Sequence, residues 1–162
     1  MASRRKGRIL AFQALYSWDI QYSIVEGADD NTSKSKDLKK SSLVSELLDL
    51  SWAEQSGGKS NEEMITFSRL LITGTVENIS EVDRMIKKHL QNWEISRLNR
   101  VDLAVLRMSV YTLLFQTSMH PAIVIDEAIG ICKEFGSDDS FRFVNGVLDS
   151  IRKTIGETGS AP

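Results

Sequence analysis

The sequence has few of the residues from which disulfide frameworks, metal centres and catalytic sites are usually built. It contains one cysteine, two histidines and two prolines among its 162 residues. The single Cys132 cannot form a disulfide within the chain, which excludes a disulfide-stapled secreted scaffold and favours a reducing compartment, the cytoplasm. A chain of this length buries roughly two-thirds of its unfolded surface, so a stable core needs neither disulfide nor metal.

Signatures of enzymes and membrane proteins are also missing. No run reaches the roughly 20 apolar residues that span a bilayer. The Gly-Gly-Lys-Ser segment at 57–60 lacks the upstream glycine and the preceding strand of a phosphate-binding loop. His89 and His120 have no histidine or cysteine at metal-site spacing, and Asp138 and Asp139 stand where aspartate commonly caps a helix. We therefore expect no catalytic residue, metal, cofactor or membrane segment.

Helical spacing of apolar residues dominates the chain, and strand-like alternation is weak. The pattern predicts an all-α protein of about seven helices. The predicted helices are Ser3–Tyr22, about Ser42–Trp52, one carrying Met64 to Gly74, one through Val82 and Leu90, one from Val101 to about Phe115, one from Pro121 to a stop at Gly136, and one carrying Phe143 to Ile155. Gly146, inside the last helix, costs up to about 1 kcal/mol relative to alanine, and we expect a neighbouring helix to approach closely there.

The N-terminus carries the strongest local charge in a chain whose net charge is −2. Arg4, Arg5, Lys6 and Arg8 lead directly into an apolar helical pattern. Cations at the start of a helix oppose its macrodipole, at roughly 0.3–1 kcal/mol each. A bound phosphate would offset this cost, because helix N-termini and basic side chains both attract it. These residues alone leave two readings open, a nucleic-acid-binding arm and a solvated basic tail.

A second candidate site is the segment 135–145. It combines several phenylalanines with Arg142, hydroxyl groups and a turn. Single-stranded RNA is bound by such mixtures, since bases stack on aromatic rings while polar groups meet base edges. The alternative, which the residues alone favour, is a capped helix junction with Phe143 in the core.

Several blocks of the sequence resemble the NusB family of bacterial transcription antitermination factors. The blocks are Arg4-Arg5-Lys6-x-Arg8, Gln13-Ala14-Leu15-Tyr16-Ser17-Trp18, Asn92-Trp93, Arg97-Leu98, Val101-Asp102-x-Ala104-x-Leu106-Arg107 with Tyr111, Asp126-Glu127-Ala128-Ile129, Lys133-x-Phe135-Gly136, Asp139-Ser140 and Phe143-Val144-Asn145-Gly146-Val147-Leu148-Asp149. Their order and spacing agree over nearly the whole chain except 23–40.

The resemblance implies a non-catalytic, all-helical protein of two packed subdomains. The expected subdomains are about 1–90, with a flexible segment at 23–40, and about 91–156, followed by a tail at 157–162. Family members bind the boxA element of nascent RNA together with ribosomal protein S10, also called NusE. That pair joins other Nus factors on RNA polymerase, notably in ribosomal RNA operons, and members occur as monomers and as dimers.

The resemblance also suggests site residues. RNA binding is expected at the arm and its helical neighbours and at the helix junction: Arg4, Arg5, Lys6, Arg8, Gln13, Tyr16, Ser137, Asp139, Ser140, Arg142 and Phe143. Contact with S10 is expected on the C-terminal helices, including Asp102 and Arg107. Three departures from the family pattern stand out. Gly7 predicts a more flexible arm, Gly130 replaces what is commonly glutamate and should weaken its helix slightly, and Phe141 occupies a position that is often polar.

Two other functions stay open. A NusB-like domain also precedes the catalytic part of some ribosomal RNA cytosine methyltransferases. This chain ends about where that domain ends, so we expect methyl transfer to require a separate subunit. A purely structural helical adaptor is the third reading, which would bind S10 but no RNA.

Overall fold

The described part of the chain is built of α-helices joined by turns. A computed structural model describes residues 2–27, 45–49, 61–91 and 93–158. The helices are α1 (Ala2–Gly27), α2 (Asn61–Glu77), α3 (Ile79–Lys88), α4 (Arg100–Phe115), α5 (Pro121–Phe135) and α6 (Ser140–Thr158), with a 3₁₀ turn at Ile95–Arg97. Residues 45–49 are also helical. No strand occurs among these residues, and the all-α prediction is confirmed.

The chain divides into two compact units, Met1–Val76 and Glu77–Pro162. The subdomains that the resemblance implies divide near residue 90, after the helix that carries Val82. In the structure that helix, α3, groups with the C-terminal helices because it packs against α4 and α6. The arm therefore belongs to the first unit and the helix junction to the second.

In the first unit, α1 is longer than predicted. It continues past Tyr22 to Gly27, because the intervening residues include no proline or glycine that would end a helix. Residues 28–40 of the predicted flexible segment lie outside the described residues. Of the helix predicted at 42–52, only 45–49 is described. That segment is tied to α2 by Arg69, whose Nε donates to the Leu48 carbonyl at 2.7 Å.

In the second unit, α4 is the central helix. Every residue from Asp102 to Leu113 is buried, since α3, α5 and α6 all pack against α4. Arg107 donates to Asp83 on α3 with Nε at 2.9 Å and Nη2 at 3.0 Å from the two carboxylate oxygens. This two-pronged ion pair fixes α3 against the central helix.

Helix α5 begins and ends at the residues that the sequence predicted. The side chain of His120 accepts a hydrogen bond from the Ala122 N–H, and Pro121 occupies the first turn, where a missing N–H costs nothing. Gly136 ends the helix, as predicted, with φ of −93°. Any residue can adopt this φ, so the backbone does not require glycine here. Close packing does, because a Cβ at this position would lie 2.8 Å from the Ser140 Cβ.

Two other glycines have surroundings that differ from those the sequence predicted. Gly7 lies against α2, where an added Cβ would be 2.9 Å from Phe67 Cδ2 and 3.1 Å from the Met64 carbonyl oxygen. The hydroxyl of Ser68 also donates to the Gly7 carbonyl at 2.8 Å. Gly7 is thus a packed contact rather than a flexible point in an arm. Gly146 has the reverse setting, with nothing within 4 Å of an added Cβ, so the expected close helix approach is wrong.

This contrast yields a stability prediction. Gly7→Ala should lower the free energy of unfolding by about 1 kcal/mol, because overpacking of roughly 1–3 kcal/mol exceeds the gain in helix propensity. Gly146→Ala, the matched control, should raise it by up to about 1 kcal/mol, since only propensity changes. Urea unfolding of both variants measures the two effects. Equal stabilisation by both would contradict the close packing of Gly7.

None of the helices in the described ranges combines the length and apolar character that crossing a membrane requires.

Candidate nucleic-acid and protein interfaces

One face of α1 displays polar and cationic side chains to solvent. Arg5, Lys6, Gln13 and Tyr16 are exposed, and Ile20 continues the same face. At 3.6 residues per turn these positions fall on one side of the helix, and Arg5 and Tyr16 are about 16 Å apart along its axis. The opposite side contributes buried apolar residues, so α1 has one side available for binding.

The four cations of the arm are not equivalent. Arg4, Arg5 and Lys6 are exposed, whereas the Arg8 side chain is only 8% exposed. The guanidinium carbons of Arg4 and Arg8 lie 5.6 and 5.3 Å from the centre of the Phe67 ring. The structure therefore differs from the expectation for Arg8, which is packed on Phe67 because α1 and α2 approach closely at Gly7. The positive charge presented to solvent comes mainly from the other three.

The predicted junction site lies between α5 and α6 in the second unit. Ser137, Asp139 and Arg142 are exposed, and Phe143 is half-buried. Ser140 is different, because it is only 2% exposed. Its hydroxyl accepts from the Ser137 N–H at 3.1 Å and lies 3.0 Å from the Ser137 hydroxyl. Ser140 therefore orders the turn and is not displayed for direct contact with RNA.

Two adjoining cavities open beside this junction. The larger, of about 380 Å³, is lined by His89, Leu90, Gln91, Trp93, Arg142, Phe143, Gly146, Val147 and Ser150. The smaller, of about 240 Å³, is lined by Trp93, Arg97, Leu98, Asn99, Asp102 and Phe143. Trp93 and Phe143 line both cavities, and Trp93 is 59% exposed. We call this pair of cavities the Trp93 groove.

Asp102 contributes a carboxyl group to the wall of the groove. Its side chain is only 7% exposed, and Oδ1 is buried without a hydrogen-bond partner among the described residues. Burial raises the pKa of the Asp102 carboxyl, and a hydrogen bond with Ser140 opposes that shift. An unpaired buried carboxylate oxygen is costly. A donor group brought by a binding partner would relieve this cost.

His89 occupies the other end of the groove. Its Nδ1 lies 2.8 Å from the Ser150 hydroxyl, while Nε2 is buried and has no partner among the described residues. Burial and the nearby Lys88 charge lower the pKa of the His89 ring. The imidazole is therefore mostly neutral near pH 7, and the other ionisable side chains that line the groove are Asp102, Arg97 and Arg142.

Arg107 takes part in the packing of two helices. Its side chain is 9% exposed and is held in the ion pair with Asp83, so it is oriented toward α3. Of the two residues expected to contact S10, the structure places only Asp102 on the Trp93 groove.

Other chemistry has little support in the described residues. No three His, Cys, Asp or Glu side chains are grouped there so as to hold a metal ion. Burial, with a smaller effect from the charge of Asp102, raises the pKa of the Cys132 thiol to about 12. The thiolate is thus suppressed at neutral pH, which disfavours a nucleophilic role.

The sequence assigned no binding role to three residues that shape these surfaces. Phe67 orders the arm, His89 lines the groove, and Lys133 approaches the Phe141 ring at the junction, with 5.1 Å between Nζ and the ring centre. In the sequence, Trp93 stands out only as part of a block that resembles the family. One sequence signal could have marked Trp93 as exposed: it is an aromatic residue that directly follows a polar break between two helices.

Comparison with known proteins identifies the family. The NusB family model matches residues 5–153. The chain is 44% identical to the transcription antitermination protein NusB of Treponema denticola, over 92% of this chain and 95% of that protein. It is 38% identical to the NusB of Geobacter sulfurreducens, over 98% of this chain and 100% of that protein.

Solved structures agree with the sequence comparison. NusB of T. maritima superposes with a TM-score of 0.70 at 33% identity, covering 93% of this chain and 90% of that one. NusB in a complex of the antitermination factors NusB and NusE with double-stranded RNA gives a TM-score of 0.71 at 28% identity, with 95% and 98% covered. The resemblance seen in the sequence is confirmed, and the chain belongs to the NusB family.

Proposed function

We propose that this protein is a transcription antitermination factor that binds boxA-type single-stranded RNA together with ribosomal protein S10 (NusE). The pair would join other Nus factors on RNA polymerase in the cytoplasm and support transcription of ribosomal RNA. The observation that carries the proposal is the exposed face of α1, on which Arg5, Lys6, Gln13 and Tyr16 are aligned beside the exposed Arg4. Membership in the NusB family confirms that the protein is not an enzyme.

The chemistry of this face suits an RNA strand. Arg4, Arg5 and Lys6 supply charge for phosphates, and such contacts provide most of the sequence-independent affinity. Tyr16 offers an exposed ring on which a base can stack, and the amide of Gln13 can donate to or accept from a base edge. At the junction, Arg142 and Phe143 are the corresponding cationic and aromatic groups, with Ser137 and Asp139 as polar neighbours.

We assign S10 to the side of the Trp93 groove that carries Trp93 and Asp102, and the RNA to the side at the junction that carries Arg142 and Phe143. An exposed tryptophan that lines a cavity, as Trp93 does here, is typical of a protein-interaction anchor. The unpartnered Oδ1 of Asp102 adds a fixed acceptor for a basic or hydrogen-bonding side chain of S10. A solved NusB relative was crystallised with NusE and RNA, which supports both partners for this chain.

The test measures binding of fluorescent boxA-type RNA, with and without S10, at 50 and 200 mM salt. If the three exposed arm cations neutralise phosphates, the slope of log K against log salt should be about −2 from the arm alone, which gives a loss of roughly twentyfold between the two salt concentrations. A scrambled strand and a double-stranded RNA serve as controls for sequence and strand preference. No binding to boxA RNA, even with S10 present, would reject the proposal.

The same samples separate the other functions. Binding of S10 without any RNA binding would favour a helical adaptor. Methyl transfer from S-adenosylmethionine to ribosomal RNA, seen only when a separate methyltransferase subunit is added and dependent on this chain, would favour the methyltransferase module. Sedimentation at several concentrations would show whether the chain is a monomer or a homodimer.

A further inference from the structure

The ring of Phe141 is contacted by two cations from different helices. Lys133 Nζ lies 5.1 Å and Arg142 Cζ 5.5 Å from its centre. Both distances are within the roughly 6 Å range of cation–π attraction. Lys133 belongs to the last turn of α5 and Arg142 to the first turn of α6. Cations from both helices of the junction therefore contact the same ring.

Neither cation has a counter-ion in the described part of the chain. Lys133 and Arg142 are exposed, and no ion pair joins either of them to Asp138, Asp139 or any other described carboxylate. Both lie within 5.5 Å of one ring centre, so two like charges are held near each other at an electrostatic cost. Since both also stand beside the N-terminus of α6, a bound anion would relieve that cost.

The turn that joins the two helices holds this arrangement in place. Gly136 approaches Ser140 so closely that a Cβ there would lie 2.8 Å from the Ser140 side chain. The Ser137 N–H donates to the Ser140 hydroxyl at 3.1 Å. The packed turn and the shared contact with the Phe141 ring therefore limit where the two cations can lie, which reduces the entropy lost when an anion binds.

We propose that Lys133 and Arg142 form a two-cation clamp for the phosphates of the bound RNA, with Phe141 as the positioning residue that holds them together. This inference rests on the proposed RNA-binding function and adds Lys133 and Phe141 to its residues. It also gives Phe141 a role other than stacking on a base, because its ring already receives both cations.

The test is the salt dependence of boxA RNA binding by the full chain with S10. Each phosphate contact on a single strand contributes about 0.7 to the slope of log K against log salt. Lys133→Gln with Arg142→Gln should therefore make the slope shallower by about 1.4, which corresponds to roughly sevenfold less loss of affinity between 50 and 200 mM salt. Arg152→Gln with Lys153→Gln removes the same charge from the later part of α6 and should leave the slope unchanged.

Phe141 is tested without changing any charge. Phe141→Ala should make the slope shallower by about 0.7, as if one contact were lost, while Phe141→Tyr keeps the aromatic ring and should retain the wild-type slope. Circular dichroism checks that each variant is folded. A residue needed only for stability would change helicity, or affinity at all salt concentrations alike, without changing the slope.

The outcomes separate the two proposals. If the wild type binds boxA RNA and the Lys133–Arg142 variant keeps its slope, the clamp is overturned while the proposed function stands. An unchanged slope for Phe141→Ala, combined with a shallower one for the double variant, overturns the positioning role. If the wild type does not bind RNA, the proposed function fails and the clamp fails with it.

Discussion

Replacing Arg5 and Lys6 together by glutamate is expected to weaken binding of boxA-type RNA by about 25-fold or more at roughly 0.1 M salt. Each phosphate contact on a single strand contributes about fivefold at that salt concentration through counterion release, and reversal of charge adds repulsion. Both side chains are exposed on α1, so the fold should be retained, and glutamate near the N-terminus of the helix should raise its stability slightly. Fluorescence anisotropy with labelled RNA measures the loss.

The matched control reverses two exposed lysines elsewhere. Lys87→Glu with Lys153→Glu makes the same change in net charge on α3 and α6. Its affinity should stay within about threefold of wild type, because long-range charge effects are largely screened beyond about 10 Å at 0.1 M salt. Equal losses in the two variants would mean that net charge, rather than the face of α1, determines RNA affinity.

Arg8 is a poor choice for the same experiment, although the sequence groups it with the other arm cations. Its side chain is buried against Phe67, so Arg8→Glu would replace a cation by an anion in a packed contact between α1 and α2. Loss of RNA binding in that variant would report a damaged fold as readily as a missing phosphate contact.

The second large effect is expected at Asp102. Asp102→Asn should raise the stability of the chain at neutral pH and, under the proposed function, weaken S10 binding by about 30-fold or more. The affinity loss follows because removing one partner of a desolvated charge pair costs roughly 2 kcal/mol or more. Thermal unfolding and titration calorimetry with S10 measure the two changes, and Asp126→Asn on the exposed side of α5 is the control.

The stability change has a defined pH dependence. Burial raises the pKa of the Asp102 carboxyl, so the folded chain holds this proton at pH values where the unfolded chain has released it. The free energy of unfolding contributed by Asp102 therefore falls as pH rises from the ordinary aspartate range through the raised pKa. The asparagine variant should lack this fall. If it were less stable than wild type at pH 7, burial of an unpaired carboxylate would be the wrong account of this site.

Much of the fold could be predicted from the sequence because helical periodicity is a local signal. The helices through Val101, Pro121 and Phe143 were found with boundaries within a few residues. That α3 belongs to the second unit was harder to predict from the sequence, since it depends on the contact of Arg107 with Asp83, which are 24 positions apart.

The candidate site was only partly predictable, for a related reason. Charge and aromatic content mark the arm and the junction in the sequence, but exposure is decided by packing between distant segments. Gly7 and Ser68 bring α1 against α2 and bury Arg8, and Ser140 folds into the turn that Gly136 permits. The cavity above Gly146 could not be foreseen either, because a glycine inside a helix gives the same signal whether a neighbour or open space lies beside it.

The most direct measurement places a photo-crosslinking amino acid at Tyr16 and, in a separate variant, at the exposed Ile123 of α5. Each variant is irradiated with boxA-type RNA and S10. We predict strong crosslinking to RNA from position 16 and little from position 123. Bound RNA that crosslinks from position 123 but not from position 16 would contradict the assignment of the α1 face as the RNA-binding surface.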